Sequence, residues 1–245
     1  MYEPEAHIAA GRIIAGHSTN RTDIREVIGS QIPFEQTGSL LDLGCGYGFL
    51  YGMLGGRLRP GTRVVGIDRN EINRFYFETR VVQAGGVPEF RSQGLPSSLP
   101  WPDGCFDTIL SIFSLYFFPG MLGEIRRLLS PHGCFVAVTH CIDSFSELNG
   151  IIGDDRVFGV LEHFNDSNAE AILSPHFRSV QSVRYENRLR FSNQDADDVE
   201  RYLRFKRPDW MNDAMTETII ASTRNLLSRQ DLVITKNDII YVCRP

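Results

Sequence analysis

A chain of 245 residues, 42% hydrophobic and 22% charged, can bury the core of one large α/β domain and is short for two full domains. Its net charge of −5 supplies no general basic footprint, which disfavours nucleic acid as a partner. The five cysteines (Cys45, Cys105, Cys134, Cys141 and Cys243) show neither paired zinc spacing nor a Cys-x-x-Cys motif, so free thiols and no metal are expected. No apolar run approaches a membrane span, and the start Met-Tyr-Glu-Pro-Glu is acidic where a signal peptide is basic. A cytoplasmic setting without a membrane partner is the expectation.

In chain order, Ile8, Ile13, Ile14, Ile24, Val27 and Ile28 predict two short helices interrupted around Gly16-His17-Ser18, placed to cover a ligand mouth. Residues 39–43 then predict a strand, 49–58 a helix, 63–68 a strand and 70–83 a helix. A short strand near 89–92 leads through a proline- and serine-rich loop to a strand at 106–111, a helix at 119–129 and a strand at 134–139. Such alternation argues for a parallel sheet covered on both faces. Residues 178–191 and 232–242 are β-rich, and 195–228 between them are mostly helical by apolar spacing. Neither internal repeats nor a dividing linker is evident.

The most informative stretch is Leu40-Leu41-Asp42-Leu43-Gly44-Cys45-Gly46-Tyr47-Gly48-Phe49-Leu50, an apolar run that breaks into three alternating glycines. Glycine accepts positive φ and lets a ligand approach the backbone closely, and a helix beginning there offers unpaired N–H groups. About twenty residues later Val64-Val65-Gly66-Ile67-Asp68 is a second buried-strand run ending in a carboxylate, the spacing at which an acid meets a ribose in a nucleotide-binding βαβ unit.

Asp42-Leu43-Gly44-Cys45-Gly46-Tyr47-Gly48 resembles the first motif of class I S-adenosylmethionine-dependent methyltransferases rather than the Gly-x-Gly-x-x-Gly of dinucleotide enzymes. Phe106-Asp107-Thr108-Ile109-Leu110-Ser111 is similar to the family's fourth-strand motif, and the run from Glu124 to Gly133 to its passage into the fifth strand. The resemblance covers roughly residues 40–139. It implies a Rossmann-like α/β fold: a seven-stranded, mostly parallel sheet with an antiparallel last strand, helices on both faces and a helical insertion before that strand. It also implies S-adenosylmethionine as cofactor and S-adenosylhomocysteine as product. Carried over by position, Asp42 places the amino-acid end, Gly44, Cys45 and Gly46 pass beneath it, and Asp68, followed by Arg69, holds the ribose. Gln93, followed by Gly94, stands where many relatives carry an acid toward the adenine amino group, and its amide oxygen can accept in that place. Ser111 closes the fourth-strand motif and is counted with the cofactor residues.

Methyl transfer from a sulfonium needs mainly orientation and exclusion of water, with a base only where the nucleophile must lose a proton. His140, at the end of the fifth strand, is the first choice for that base. Tyr116 occupies the approximate place of a histidine found in many small-molecule relatives and can orient an acceptor by its hydroxyl. His7 and His17 rank lower, His132 is expected at the opposite sheet edge, and His163 and His176 have no supporting motif. Phe113, Phe117 and Phe118 are read as core before pocket wall. Phe145, Phe158, Phe164, Phe177, Tyr202, Phe205 and Trp210 suit an apolar acceptor pocket, an insertion cemented to the core, or a homodimer contact. Arg201, Arg204, Lys206 and Arg207 are read as a solvated helix face, with anion recognition second.

These readings give one methyltransferase-like domain over 1–245, with a helical cover at 1–35, a cofactor-binding core at 36–140, and insertions at 141–177 and 192–230 that shape the acceptor pocket. The expected function is methyl transfer to an oxygen or nitrogen of a small molecule of specialised metabolism. The alternatives are an RNA or protein methyltransferase, a cofactor-binding or regulatory subunit, and a relative that uses the cofactor without transferring methyl.

Overall fold

The computed structural model describes residues 3–153, 161–208 and 210–245, so Phe158 lies outside the described residues. By internal contacts the chain divides into two compact units. One comprises Thr22–Ile142, Val160–Tyr185 and Asp238–Pro245, the other Met1–Arg21, Asp143–Gly159 and Glu186–Asn237.

The first unit is built on a sheet whose strands are β1 (Ser39–Leu43), β2 (Arg63–Asp68), β3 (Val87–Ser92), β4 (Phe106–Ile112), β5 (Leu129–His140), β6 (Ser179–Tyr185) and β9 (Asp238–Arg244). Among the described residues these seven strands follow the order β3-β2-β1-β4-β5-β9-β6. β1 pairs parallel with β2 and β4, whereas β9 runs antiparallel to both β5 and β6. The seven-stranded sheet with an antiparallel last strand is therefore present as expected. Leu40, Leu41, Val64, Val65, Ile109, Leu110, Phe135 and Val136 are all fully buried, as central strands sealed on both faces require. Helix α3 (Arg74–Gln83) buries Phe77 and Val81, one turn apart on a single face, in the same cluster as Leu40, Val64 and Phe90.

The helix expected at 49–58 is absent: Tyr51–Met53 form a short 3₁₀ turn, and Gly55 and Gly56 take φ of +47° and +82°. A right-handed helix cannot run through those values, and glycine already weakens a helix by about 1 kcal/mol against alanine. The helix expected at 119–129 is also shorter, with a 3₁₀ turn at Pro119–Met121 preceding the helix α4 (Leu122–Leu128). Leu129 has already joined the sheet opposite Phe106.

The second unit holds helices α1 (Pro4–His17), α5 (Ser146–Ile152), α7 (Ala196–Lys206) and α8 (Asp213–Leu227), with β7 (Arg188–Phe191) paired antiparallel to β8 (Leu232–Thr235). Helix α6 (Ala169–Leu173) and α2 (Ile24–Ser30) belong to the first unit. Each β-rich stretch thus splits at an asparagine-containing turn, 186–187 and 236–237, into one strand for each sheet. Asn187 N–H donates to the Asn237 side chain and Lys236 N–H to the Asn187 carbonyl, which fixes the paired turns. Phe145, Phe191, Val199, Tyr202, Ile220 and Ile234 form this unit's core.

Candidate functional site

The carboxyl ends of β1 to β5 and the start of β9 meet at one edge of the sheet, where α/β folds bind ligands. After β1 the chain folds back on β2, because the N–H groups of Gly44 and Cys45 both donate to the Ile67 carbonyl, at 2.9 and 3.1 Å. Gly44 has φ +69°, and a Cβ there would sit 2.6 Å from the Ser114 Cβ. Only glycine fits both conditions.

Asp42 is 3% exposed and accepts from the Tyr51 hydroxyl at 3.0 Å. Asp68, half-buried at the end of β2, accepts from Gly46 N–H at 3.0 Å through one oxygen. Its other oxygen accepts from Asn70 N–H at 2.8 Å and the Asn73 amide at 3.1 Å. The second carboxylate is thus tied directly to the glycine turn. Gln93 is brought to the same place, its N–H donating to the Asp68 carbonyl at 3.0 Å. Arg69 and Gly94 are exposed, and open space surrounds Gly94. Cys45 is buried under Gly66, and burial pushes its thiol well above the ordinary range.

The Ser114 hydroxyl donates to the Leu43 carbonyl at 2.7 Å, so the Ser111 hydroxyl, 2.8 Å away, must donate to Ser114. Ser111 is fully buried, and the structure brings it to the β1–β4 junction rather than to Asp68. Phe113 takes φ +54°, costly for a bulky side chain, and backbone strain of this kind clusters at functional sites. Its ring stacks on His140 with centroids 4.7 Å apart and meets Phe49 of the glycine turn edge-on at 6.1 Å. His140 Nδ1 lies 2.5 Å from the Asp238 carboxylate, which is fully buried directly across the β5–β9 pair. Tyr116 is 8% exposed, and burial, reinforced by the Asp238 charge, lifts its phenol far above neutral pH. Phe117, expected inside, is instead 69% exposed, because the 3₁₀ turn Leu115–Phe117 turns Leu115 and Tyr116 inward and Phe117 out.

The other candidates have structural work. His17 bridges Asp198 and the Arg190 carbonyl, and Phe164 and Phe177 are core rings against Tyr241 and Phe135. Arg201, Arg204 and Arg207 pair with Asp198, with Glu200 and Glu217, and with Asp213, while Lys206 lies over the Phe145 ring. Sequence reading missed Tyr51, Asn73, Ser114 and Asp238. Tyr51 alone had a local signal, as an aromatic just beyond the glycines.

The residues present fit S-adenosylmethionine. Asn73 is fully buried beside Asp68, to which its side-chain amide donates, and its Oδ1 acceptor has no hydrogen-bond partner. Burial pushes the Asp42 carboxyl up to about 7; the Tyr51 hydrogen bond opposes this and the Asp68 charge adds to it. An ammonium delivered to Asp42 reverses that penalty.

A pH dependence follows. Asp42 holds its proton more tightly folded than unfolded, where a carboxyl titrates at about 3.9. Its stabilising contribution is therefore complete below that value and is lost as pH rises through about 7. The ligand-free chain should be less stable at about pH 8 than at about pH 6, and docking an ammonium on ionised Asp42 at about pH 6 should release roughly one proton. Calorimetry with S-adenosylhomocysteine in buffers of different ionisation enthalpy measures the release, and none at pH 6 would remove Asp42 as the ammonium's partner.

Comparison with known proteins bears on the fold and on residues 41–137. Residues 41–137 match the family described as a methyltransferase domain. A fatty-acid O-methyltransferase of Mycolicibacterium smegmatis (strain ATCC 700084 / mc(2)155) is 35% identical over 100 residues, 40% of this chain and 35% of that protein. The match thus spans about a third of the curated relative. The YcgJ protein of Bacillus subtilis shares the fold with TM-score 0.56 at 16% identity, covering 97% of this chain and 98% of its own. Geranyl diphosphate methyltransferase in complex with S-adenosylmethionine does so with TM-score 0.52 at 15% identity, covering 99% and 93%.

The fold is one that solved methyltransferase structures share, and the match to the methyltransferase-domain family covers residues 41–137.

Proposed function

We propose that the chain transfers a methyl group from S-adenosylmethionine to an oxygen or nitrogen atom of a small-molecule acceptor. The observation that carries this is the joining of Asp42, the glycine turn and Asp68 at one sheet edge, with His140 and Tyr116 at that same edge. The cofactor supplies an electrophilic methyl, so the protein's task is to hold and orient. Asp68 accepts the ribose hydroxyls, Asp42 receives the ammonium and the Gln93 amide faces the adenine amino group. Tyr116, protonated at any working pH, orients an acceptor by donating its hydroxyl proton. His140 takes up the proton of an acceptor that must lose one.

The exposed rings and aliphatics that follow these residues, Phe117 and Ile142, favour an acceptor with an apolar body. The name of the mycobacterial relative adds apolar carboxylic acids to the acceptors worth testing. Net acidity favours a small molecule over RNA, and a cytoplasmic role in specialised metabolism completes the reading. Among the described residues no helix is long and apolar enough to cross a membrane.

A labelled-methyl assay with phenols, alcohols, amines and carboxylic acids, set beside RNA and protein extracts, tests it. Label on a small molecule is expected; label only on a macromolecule would overturn the acceptor class.

A further inference from the structure

We infer that Asp238 is a positioning residue that fixes His140 as the proton acceptor in methyl transfer, so that the acceptor is a hydroxyl compound which must be deprotonated, a phenol, enol or alcohol, and not a carboxylate. This rests on the methyl-transfer reading above and says which acceptors that reading admits.

Three observations converge on the pair. The Asp238 carboxylate is fully buried and faces His140 Nδ1 at 2.5 Å, from the opposite member of an antiparallel pair of strands, so sheet register sets the contact. A carboxylate accepts only, which places the imidazole proton on Nδ1 and makes Nε2 the basic nitrogen. The ring plane is fixed as well, by the stack on Phe113, whose left-handed backbone turns its ring onto His140. Phe113 in turn touches Phe49 of the glycine turn, so continuous ring contact links His140 to the cofactor loop. A histidine held in tautomer and in plane beside a methyl-donor loop has the parts of a general base: a proton-accepting nitrogen, an orienting partner and a fixed direction.

The reaction balances. The acceptor oxygen forms its new bond to the methyl carbon, and the electron pair of the breaking carbon–sulfur bond stays on sulfur as a neutral thioether. The hydroxyl proton passes to His140 Nε2, and the resulting imidazolium is stabilised by Asp238. A carboxylic acid acceptor is already ionised at neutral pH and gives such a base nothing to do. Among the described residues, Tyr116, after β4, and Tyr185, on β6, are titratable groups that feel Asp238; burial lifts both phenols, Tyr185 to about 12, so neither of these competes as base.

The test uses the full chain, labelled S-adenosylmethionine, a panel of alkylphenols, enols and aliphatic alcohols, and decanoic acid as the carboxylate arm. Wild type should label a hydroxyl compound. Asp238→Asn and His140→Gln should each lower kcat about 10²-fold or more, with acceptor KM and S-adenosylhomocysteine affinity within about threefold of wild type. Asp238→Asn should also move the acidic limb of the pH–rate profile to lower pH, which a merely structural role would not do. His140 is partly exposed, so its variant keeps the test open should Asp238→Asn fail to fold. Independently of turnover, nitrogen NMR of the ligand-free protein should show His140 protonated on Nδ1, and Asp238→Asn should lose that preference.

Undiminished kcat in His140→Gln, transfer confined to decanoic acid, or an unprotonated Nδ1 in wild type would each overturn the inference alone. A wild type that binds S-adenosylhomocysteine yet labels nothing would end the methyl-transfer reading and this inference with it.

Discussion

Asp68→Ala is expected to weaken S-adenosylhomocysteine binding at least about 100-fold, since hydrogen bonds to a charged group contribute roughly 1.5–3 kcal/mol each and a ribose offers two hydroxyls. The damage should extend beyond the ligand. Asp68 is the acceptor for Gly46 N–H, Asn70 N–H and the Asn73 amide, and alanine leaves all three donors without it. Asn73 is the worst placed, being fully buried with its Oδ1 already unpartnered. Stability should fall by about 2–4 kcal/mol, the cost of stranding one or two buried polar groups. Asp68→Asn, which keeps the shape and one acceptor oxygen, should lie between alanine and wild type in both measurements. Calorimetric titration and urea denaturation separate the two losses, and wild-type affinity in Asp68→Ala would remove the ribose assignment.

Gly44→Ala should cost about 2–5 kcal/mol, combining roughly 1–2 kcal/mol for a left-handed residue with 1–3 kcal/mol for overpacking. The overpacking is specific: the new methyl would lie 2.6 Å from the Ser114 Cβ and 2.9 Å from its Oγ. Ser114 has no easy retreat, because its hydroxyl holds the Leu43 carbonyl and receives the Ser111 proton. Gly123→Ala is the matched control, since nothing lies within 4 Å of its Cβ position in α4. There alanine should be neutral or stabilising by up to about 1 kcal/mol. A loss below about 1 kcal/mol in Gly44→Ala, read from denaturation midpoints, would contradict the geometry of the turn.

These two positions also mark how far the sequence could be read. The strands around Gly44 and Asp68 were legible because buried parallel strands are continuous apolar runs and the turn chemistry is local. Asp68 was marked by its spacing from the glycines, Asp42 and Gln93 only by the family resemblance, and Gln93 falls beside Asp68 in the folded chain. The helix after the turn was misjudged because its apolar residues have a plausible period, while the positive φ at Gly55 and Gly56 is visible only in the folded backbone.

The two β-rich stretches each concealed a change of sheet, marked by nothing more than Asn187 and Asn237. Asp238 was beyond reach for a different reason. It lies 98 residues from His140, and only the insertion of β9 beside β5 brings the two together. Phe117 shows the same limit at short range, since an aromatic run does not reveal which ring a single 3₁₀ turn will expose.

The most direct measurement is the crystal structure of the chain with S-adenosylhomocysteine. The expected result has the ribose hydroxyls on the Asp68 carboxylate, the ammonium at Asp42, the adenine amino group toward Gln93 and the sulfur facing the side of the site that holds His140 and Tyr116. Nucleoside bound away from Asp68, or folded protein that takes up no ligand, would contradict the assignment of this edge of the sheet as a methyl-donor site.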